Sequence, residues 1–544
     1  MRVLVKSTGI TLLFLLVFQI SFATSYYIHP KLGNDSNVGT SQKFPFQTLA
    51  KIQKIKLLPG DQVFLANGQL YSGTLIIKNQ QGLLGHPIKV NSINWDNEKS
   101  FQNAVIDFKG QANGILLQDC NFIEVSNLQL TGNGYQIPDD SQKMRCGVLI
   151  DNVDQALMTG MSLNNLTIHD VFFENPFYER GTEEVKSANG TQKYGWGIRL
   201  TSHKPLNKIK NIEISNCTVT DVSHTGIKLT GLGKNITDVR VIGNRVYRSG
   251  GPGIQMSGVA NVYVANNIVA HSGSNDDSRK WGRGSGLWTW DSSNILIEKN
   301  QFLYANGPGD SAGAHIDFNC DNVFIQYNLS AYNAGGFCEI LGNNYNCAYR
   351  YNVSVNDGYR VKGKNGAFQE GKTLWLSGFV GEKQARKGPV NTYIYNNTIY
   401  CDSTILPKMA LDNTSSSILI ANNIFYTKNN IKMVLGDQYK PDTKTGLIAK
   451  NIIFENNLFS KASTWPAEAL FSDNHPTIGN PDFVNVNQLN LINFTPQNTA
   501  VFKNKGTAVK EFPFNEKKLN FNLEMKQDIL GKDIIGSPSI GAIQ

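Results

Sequence analysis

The sequence predicts an all-β chain wound as a parallel β-helix. Three observations carry this: a recurring nine-residue phrase, one side chain returning at its seventh position, and a step too short for paired helices. The phrase reads NIEISNCTV from Asn211, DVRVIGNRV from Asp238, NVYVANNIV from Asn261 and NILIEKNQF from Asn294. It continues as NVFIQYNLS from Asn322, NCAYRYNVS from Asn346, NTYIYNNTI from Asn391, SILIANNIF from Ser417 and NIIFENNLF from Asn451. The seventh column is Cys217, Asn244, Asn267, Asn300, Asn328, Asn352, Asn397, Asn423 and Asn457, with steps of 27, 23, 33, 28, 24, 45, 26 and 34 residues. Short alternating strands at that spacing, without a 3.6-residue period, fit coils stacked about 4.8 Å apart. An inward asparagine on every coil can hydrogen-bond to the next and so satisfy its amide in an apolar interior. Leu128, Leu166 and Cys217 hold the column before the ladder begins.

Composition agrees. Charged residues make up 17% of 544, below the roughly 25% of an average globular chain. That excludes a disordered chain or a coiled coil, and 50 glycines imply many turns. The only long apolar run is Leu12–Ile20, after Arg2 and Lys6 and before Ser21-Phe22-Ala23. It predicts a secretory signal cleaved after Ala23 or Ser25, hence a secreted or periplasmic protein with no membrane span. Losing it takes the formal charge from +8 to about +6. A modestly basic exported chain points to an anionic polymer and away from nucleic acid. Seven cysteines without CxxC spacing give no zinc site and no complete disulfide framework. The expected organisation is a signal peptide over 1–23, a cap and first coils over 24–110, the inserted-loop β-helix over 111–475, and a C-terminal capping segment over 476–544, as a monomer.

A second strand follows each seventh-position residue: GIRLTSH from Gly197, GIKLTG from Gly226, GIQMSG from Gly253, GLWTW from Gly286, HIDFN from His315, CEIL from Cys338 and LWLSG from Leu374. Period-two alternation buries the flanking residues and turns the middle one outward. The outward column so read is Arg199, Lys228, Gln255, Trp288, Asp317, Glu339 and Trp375. One end is basic, the middle aromatic and the other end acidic, and the glycines beside it are expected to clear space for a ligand. The insertion carrying Arg279 and Arg283 precedes the Trp288 strand and should overhang this face. A sugar chain could stack on Trp288 and Trp290 while the cations hold its acidic groups. His203, Gln255, Asn319 and Trp375 complete the expected substrate contacts.

The opening YYIHPKLGNDSNVGTSQKFPFQTLAKIQ, the following LLPGDQVFLANGQLYSG and the closing DILGKDIIGSPSIGAIQ resemble secreted right-handed parallel β-helix proteins related to pectate lyases. The resemblance covers nearly the whole mature chain. It implies a right-handed coil with a short helical N-terminal cap, and carbohydrate-active chemistry of the polysaccharide lyase or oligosaccharide dehydratase type. The fold alone does not fix the reaction.

Three chemistries fit the column. In β-elimination on an acidic poly- or oligosaccharide, uronate-bearing and of the sulfated, ulvan-like kind, a cation neutralises the carboxylate and a base takes the adjacent proton. Arg199 suits the first task and Lys228, its pKa lowered by Arg199, the second. His224 and His315 are the other proton-transfer groups. In hydrolysis, Asp317 and Glu339 on adjacent coils, about 4.8 Å apart at the backbone, approach the roughly 5–5.5 Å of a retaining pair. In a third reading the same carboxylates and Asn319 hold calcium, the one cofactor envisaged. A non-enzymatic, sugar-binding β-helix would need only the tryptophans.

Overall fold

The computed structural model describes residues 23–544, apart from 97–99, 133–144, 172–194, 274–283, 435–448, 468, 470 and 514–516. The chain is a right-handed parallel β-helix. Three parallel sheets of 14, 14 and 12 strands run its length, and each strand pairs with its counterparts one coil before and one coil after. One turn visits all three: Lys208–Ser215 in the first sheet, Thr218–Val222 in the second, Ile227–Thr230 in the third, then Ile236–Ile242 in the first again. Alternation explains the interior: Ile198, Leu200, Ile227, Leu229, Ile254 and Met256 point inward and are fully buried.

The asparagine ladder is present as read. All eight members from Asn244 to Asn457 are buried at the turn between the first and second sheets. Each side-chain oxygen accepts from the coil before it: Asn244 Nδ2 donates to Asn267 at 3.0 Å, Asn300 to Asn328 at 3.0 Å, and Asn423 to Asn457 at 3.0 Å. The backbone N–H of Cys217 opens the ladder on Asn244, and the Asp473 carboxylate closes it on Asn457. The residue before the ladder is often a second asparagine. Asn216, Asn266, Asn396, Asn422 and Asn456 turn the corner at φ of 51 to 57°, a left-handed conformation that asparagine tolerates. Truncating Asn328 to alanine strips a partner from the coils on both sides and should cost on the order of 1–3 kcal/mol in urea unfolding.

The ends are closed differently. A 3-10 turn, Leu49–Lys54, inserts Leu49 and Ile52 into the core at the N-terminal end. Trp465 and Phe471 close the last coil against Phe454. The C-terminal segment then runs back along the outside of earlier coils. There Phe494, Phe512, Leu523, Ile529 and Ile543 cover Phe324, Tyr351, Tyr393 and Tyr395. The Tyr395 hydroxyl donates to the Leu523 carbonyl at 2.6 Å, and Arg350 to that of Asn522. All seven cysteines are buried and unbridged. No helix among the described residues is long and apolar enough to cross a membrane.

Candidate active site

The twelve-stranded sheet carries the outward column. Its register places Arg199 beside Lys228, Lys228 beside Gln255, Gln255 beside Trp288, Trp288 beside His315, His315 beside Glu339, and Glu339 beside Trp375. This corrects the expected column at one position, where His315 stands in place of Asp317. Asp317 lies two residues further on, just past the end of the Ala312–Ile316 strand, level with Trp290 and Leu341, through Asp317 N–H to Thr289 O and Leu341 N–H to Ile316 O. The column is not an open shelf. Arg199, Lys228 and Gln255 are 6–8% exposed, Trp288 is half-buried, and His315 and Glu339 are buried.

The glycines beside the column do not clear space for a ligand. A Cβ on Gly226 would stand 2.4 Å from Val246 Cγ1, and one on Gly253 would stand 2.1 Å from Val269 Cγ1. Both directions lead into the core, at the tight corner where the chain enters the third sheet. Glycine is there so that the corner can close on the valines behind it.

The acidic end is built by two loops as well as the sheet. Glu339 is fully enclosed, and burial pushes its carboxyl up to about 8, helped by the nearby charges of Asp310 and then Asp317 and opposed by Lys372 and Arg360. Asp310, which lies outside the repeats, is thus the carboxylate with the largest effect on Glu339. It sits in the loop before the Ala312–Ile316 strand, at φ 42°, with Ser311 at φ 63°. Two successive non-glycine residues in the left-handed region mark local strain, which surrounding bonds must hold. Arg360, buried in the loop before the Lys372–Leu376 strand, supplies them. It donates to the carbonyls of Gly307 (3.0 Å), Asp310 (2.9 Å) and Gln369 (2.7 Å), while Gln369 Oε1 accepts from the Asp310 N–H. Lys408 bonds Glu370 and donates to the Arg360 carbonyl at 3.0 Å. Gly335 lets the next coil pass: an added Cβ would lie 1.8 Å from the Asp310 carbonyl oxygen. Lys372 Nζ stands 3.7 Å over the Trp375 ring.

The other expected residues scatter. His315 is buried, its Nδ1 2.9 Å from Ser285 Oγ and its ring against Trp288. His224 is fully buried at the corner against Trp196, at the basic end of the column. His203 is at a strand end, 2.7 Å from Asp151. Asn319 is a turn residue at φ 65° whose side-chain oxygen accepts from Asn343 at 2.7 Å, so it is drawn into the turn and not toward Asp317 and Glu339. Among the described residues no group of three or more His, Cys, Asp or Glu could hold a metal ion. Trp290, partly exposed, meets Phe318 edge to face, and Phe318 meets Phe379. Arg279 and Arg283 lie outside the described residues.

The family described as right handed beta helix region matches residues 205–399. A lacto-N-biosidase of Bifidobacterium longum subsp. longum is 26% identical over 511 residues, covering 76% of this chain and 29% of that protein. The chain therefore spans less than a third of that relative's length. The crystal structure of a GH136 lacto-N-biosidase from Eubacterium ramulus superposes with a TM-score of 0.54 at 20% identity, covering 70% of this chain and 64% of that one. Its selenomethionine derivative superposes with a TM-score of 0.50 at 16% identity, covering 84% and 68%. These structures share the fold.

The expected carbon–oxygen lyase is corrected by this comparison. The relative at 26% identity is a lacto-N-biosidase, a glycoside hydrolase and not a lyase. Eliminative chemistry at Arg199 and Lys228 is therefore set aside, and the carboxyl groups become the centre of attention.

Proposed function

We propose that the protein is an exported glycoside hydrolase acting on an oligosaccharide, with its chemistry at Glu339, Asp310 and Asp317. One observation carries the reading: a carboxyl on the outward face of the sheet that burial holds protonated, with the charges of Asp310 and Asp317 adding to the effect. Glycosidases need one carboxyl that stays protonated to give its proton to the leaving oxygen, and one carboxylate that attacks or activates water. Glu339 suits the proton donor. Asp310 and Asp317 are the candidates for the second task. Trp288 and Trp290 offer aromatic faces for sugar rings along the same sheet. The similarity to lacto-N-biosidases supports the reaction class, and lacto-N-biosides are the natural first substrates to try. The substrate's acidic character rests on Arg199 and Lys228. Export rests on the leader over residues 1–23, of which 1–22 lie outside the described residues.

The test is a panel of neutral and acidic oligosaccharides that includes a chromogenic lacto-N-bioside. New reducing ends should appear without the ultraviolet absorbance of an unsaturated uronate. Product that carries that absorbance would overturn the reading.

A further inference from the structure

The basic end of the column holds two stacked basic side chains that form no ion pair among the described residues. Arg199 and Lys228 are direct neighbours on adjacent strands, and both point away from the core. Arg199 Nε and Nη1 are buried with no hydrogen-bond partner, as are Gln255 Oε1 and Trp288 Nε1 further along the column. The nearest acids are otherwise engaged. Asp151 is 2.7 Å from His203, and burial pushes the Cys146 thiol up to about 12, so it carries no charge to offer. The Trp196 ring lies 4.3 Å from the Arg199 guanidinium carbon and fixes its plane. Two like charges side by side, desolvated and unpaired, are costly in a folded protein, and such a group calls for an explanation. A bound anion supplies one, and a planar guanidinium fork next to an ammonium matches carboxylate or sulfate oxygens.

We propose that Arg199 and Lys228, with Gln255 beside them, form a subsite for an anionic substituent, a carboxylate or a sulfate, on a sugar remote from the bond that is cleaved. This deepens the reading of the protein as a glycan hydrolase and rests on it for the position of the cleaved bond. Lys228 and Glu339 are four coils apart, about 19 Å at ~4.8 Å per coil. The subsite therefore selects substrates and takes no part in bond cleavage. Burial, then Arg199, pulls Lys228 down to about 7. An anion on the site would oppose both effects and favour the charged ammonium.

The experiment is calorimetric titration of the full chain with glucuronate, glucose 6-sulfate and glucose in a buffer free of phosphate and sulfate. At least one of the two anionic sugars should bind, and which one does identifies the substituent. Its affinity should fall at least tenfold in Arg199→Gln and in Lys228→Gln, with Arg199→Lys intermediate. Should a variant fail to fold, the thermal midpoint of the unaltered protein decides, since a ligand of the native state raises it. The anionic sugar should raise it, and glucose should not. Neither anionic sugar binding more tightly than glucose, or affinity unchanged in both glutamine variants, would overturn the subsite. The same titration on Glu339→Gln separates this from the hydrolase reading: anion affinity should persist there whatever becomes of turnover.

Discussion

Replacing Glu339 by glutamine is expected to lower kcat by about 10²–10⁴-fold, the usual contribution of a positioned proton donor. The side chain is buried beside His315 and Trp375, and its raised pKa keeps the proton on at neutral pH. Activity of the unaltered protein should therefore fall as pH rises through about 8. Stability should follow activity in the same direction. The folded-state pKa is raised above the 4.5 of a free glutamate, so the folded chain holds this proton more tightly than the unfolded one. Glu339 then contributes stability that is fully present below pH 4.5 and is lost as pH rises through about 8. Glutamine is neutral throughout and should abolish that slope. The difference between the urea midpoints at pH 5 and 8.5 should change in Glu339→Gln by the part that Glu339 contributes, leaving the part due to Asp357 and Lys228. A variant that loses activity and stability equally at both pH values would mean that Glu339 only fills space.

The second large effect is expected at Asp310. Asparagine there should reduce kcat by about 10³-fold and leave the loop standing. The loop is held through the Asp310 backbone, whose N–H meets Gln369 and whose carbonyl meets Arg360, and asparagine tolerates the left-handed turn. A further readout separates chemistry from architecture. Asp310 is the charge that most raises Glu339, so its removal should let Glu339 ionise more easily. The alkaline limb of the residual activity should move to lower pH. An unmoved limb would place Asp310 outside the electrostatics of the site.

The β-helix was legible because its signal is repeated. Each ladder asparagine bonds the next, so one physical requirement is written into the sequence eight times, and alignment finds it. The outward column was legible for the same reason as far as Trp288. At the next coil alone the reading slips by two residues, because His315 and Asp317 have the same parity and alternation cannot tell them apart; Glu339 and Trp375 follow in register. The glycine corner does tell them apart: Gly313-Ala314-His315-Ile316 follows Gly286-Leu287-Trp288-Thr289 in register. In the sequence those glycines suggest room for a ligand, but their missing Cβ atoms face the core, which is a matter of corner geometry and not of composition. Asp310 was illegible for another reason. It sits on a single loop of the run NGPGDSAG, outside every repeat, and its importance comes from Arg360 some 50 positions later folding over it. Only the crowding of glycine and proline around one lone acid hinted at a shaped loop.

The most direct measurement is the fate of water oxygen in the cleaved bond. Oligosaccharide is digested in water enriched in heavy oxygen, and the products are weighed by mass spectrometry. Hydrolysis at Glu339, Asp310 and Asp317 predicts one heavy oxygen in each pair of products, at the newly formed reducing end, and far less labelled product from Glu339→Gln in the same time. Cleavage products that carry no heavy oxygen and are lighter by the mass of one water would contradict it.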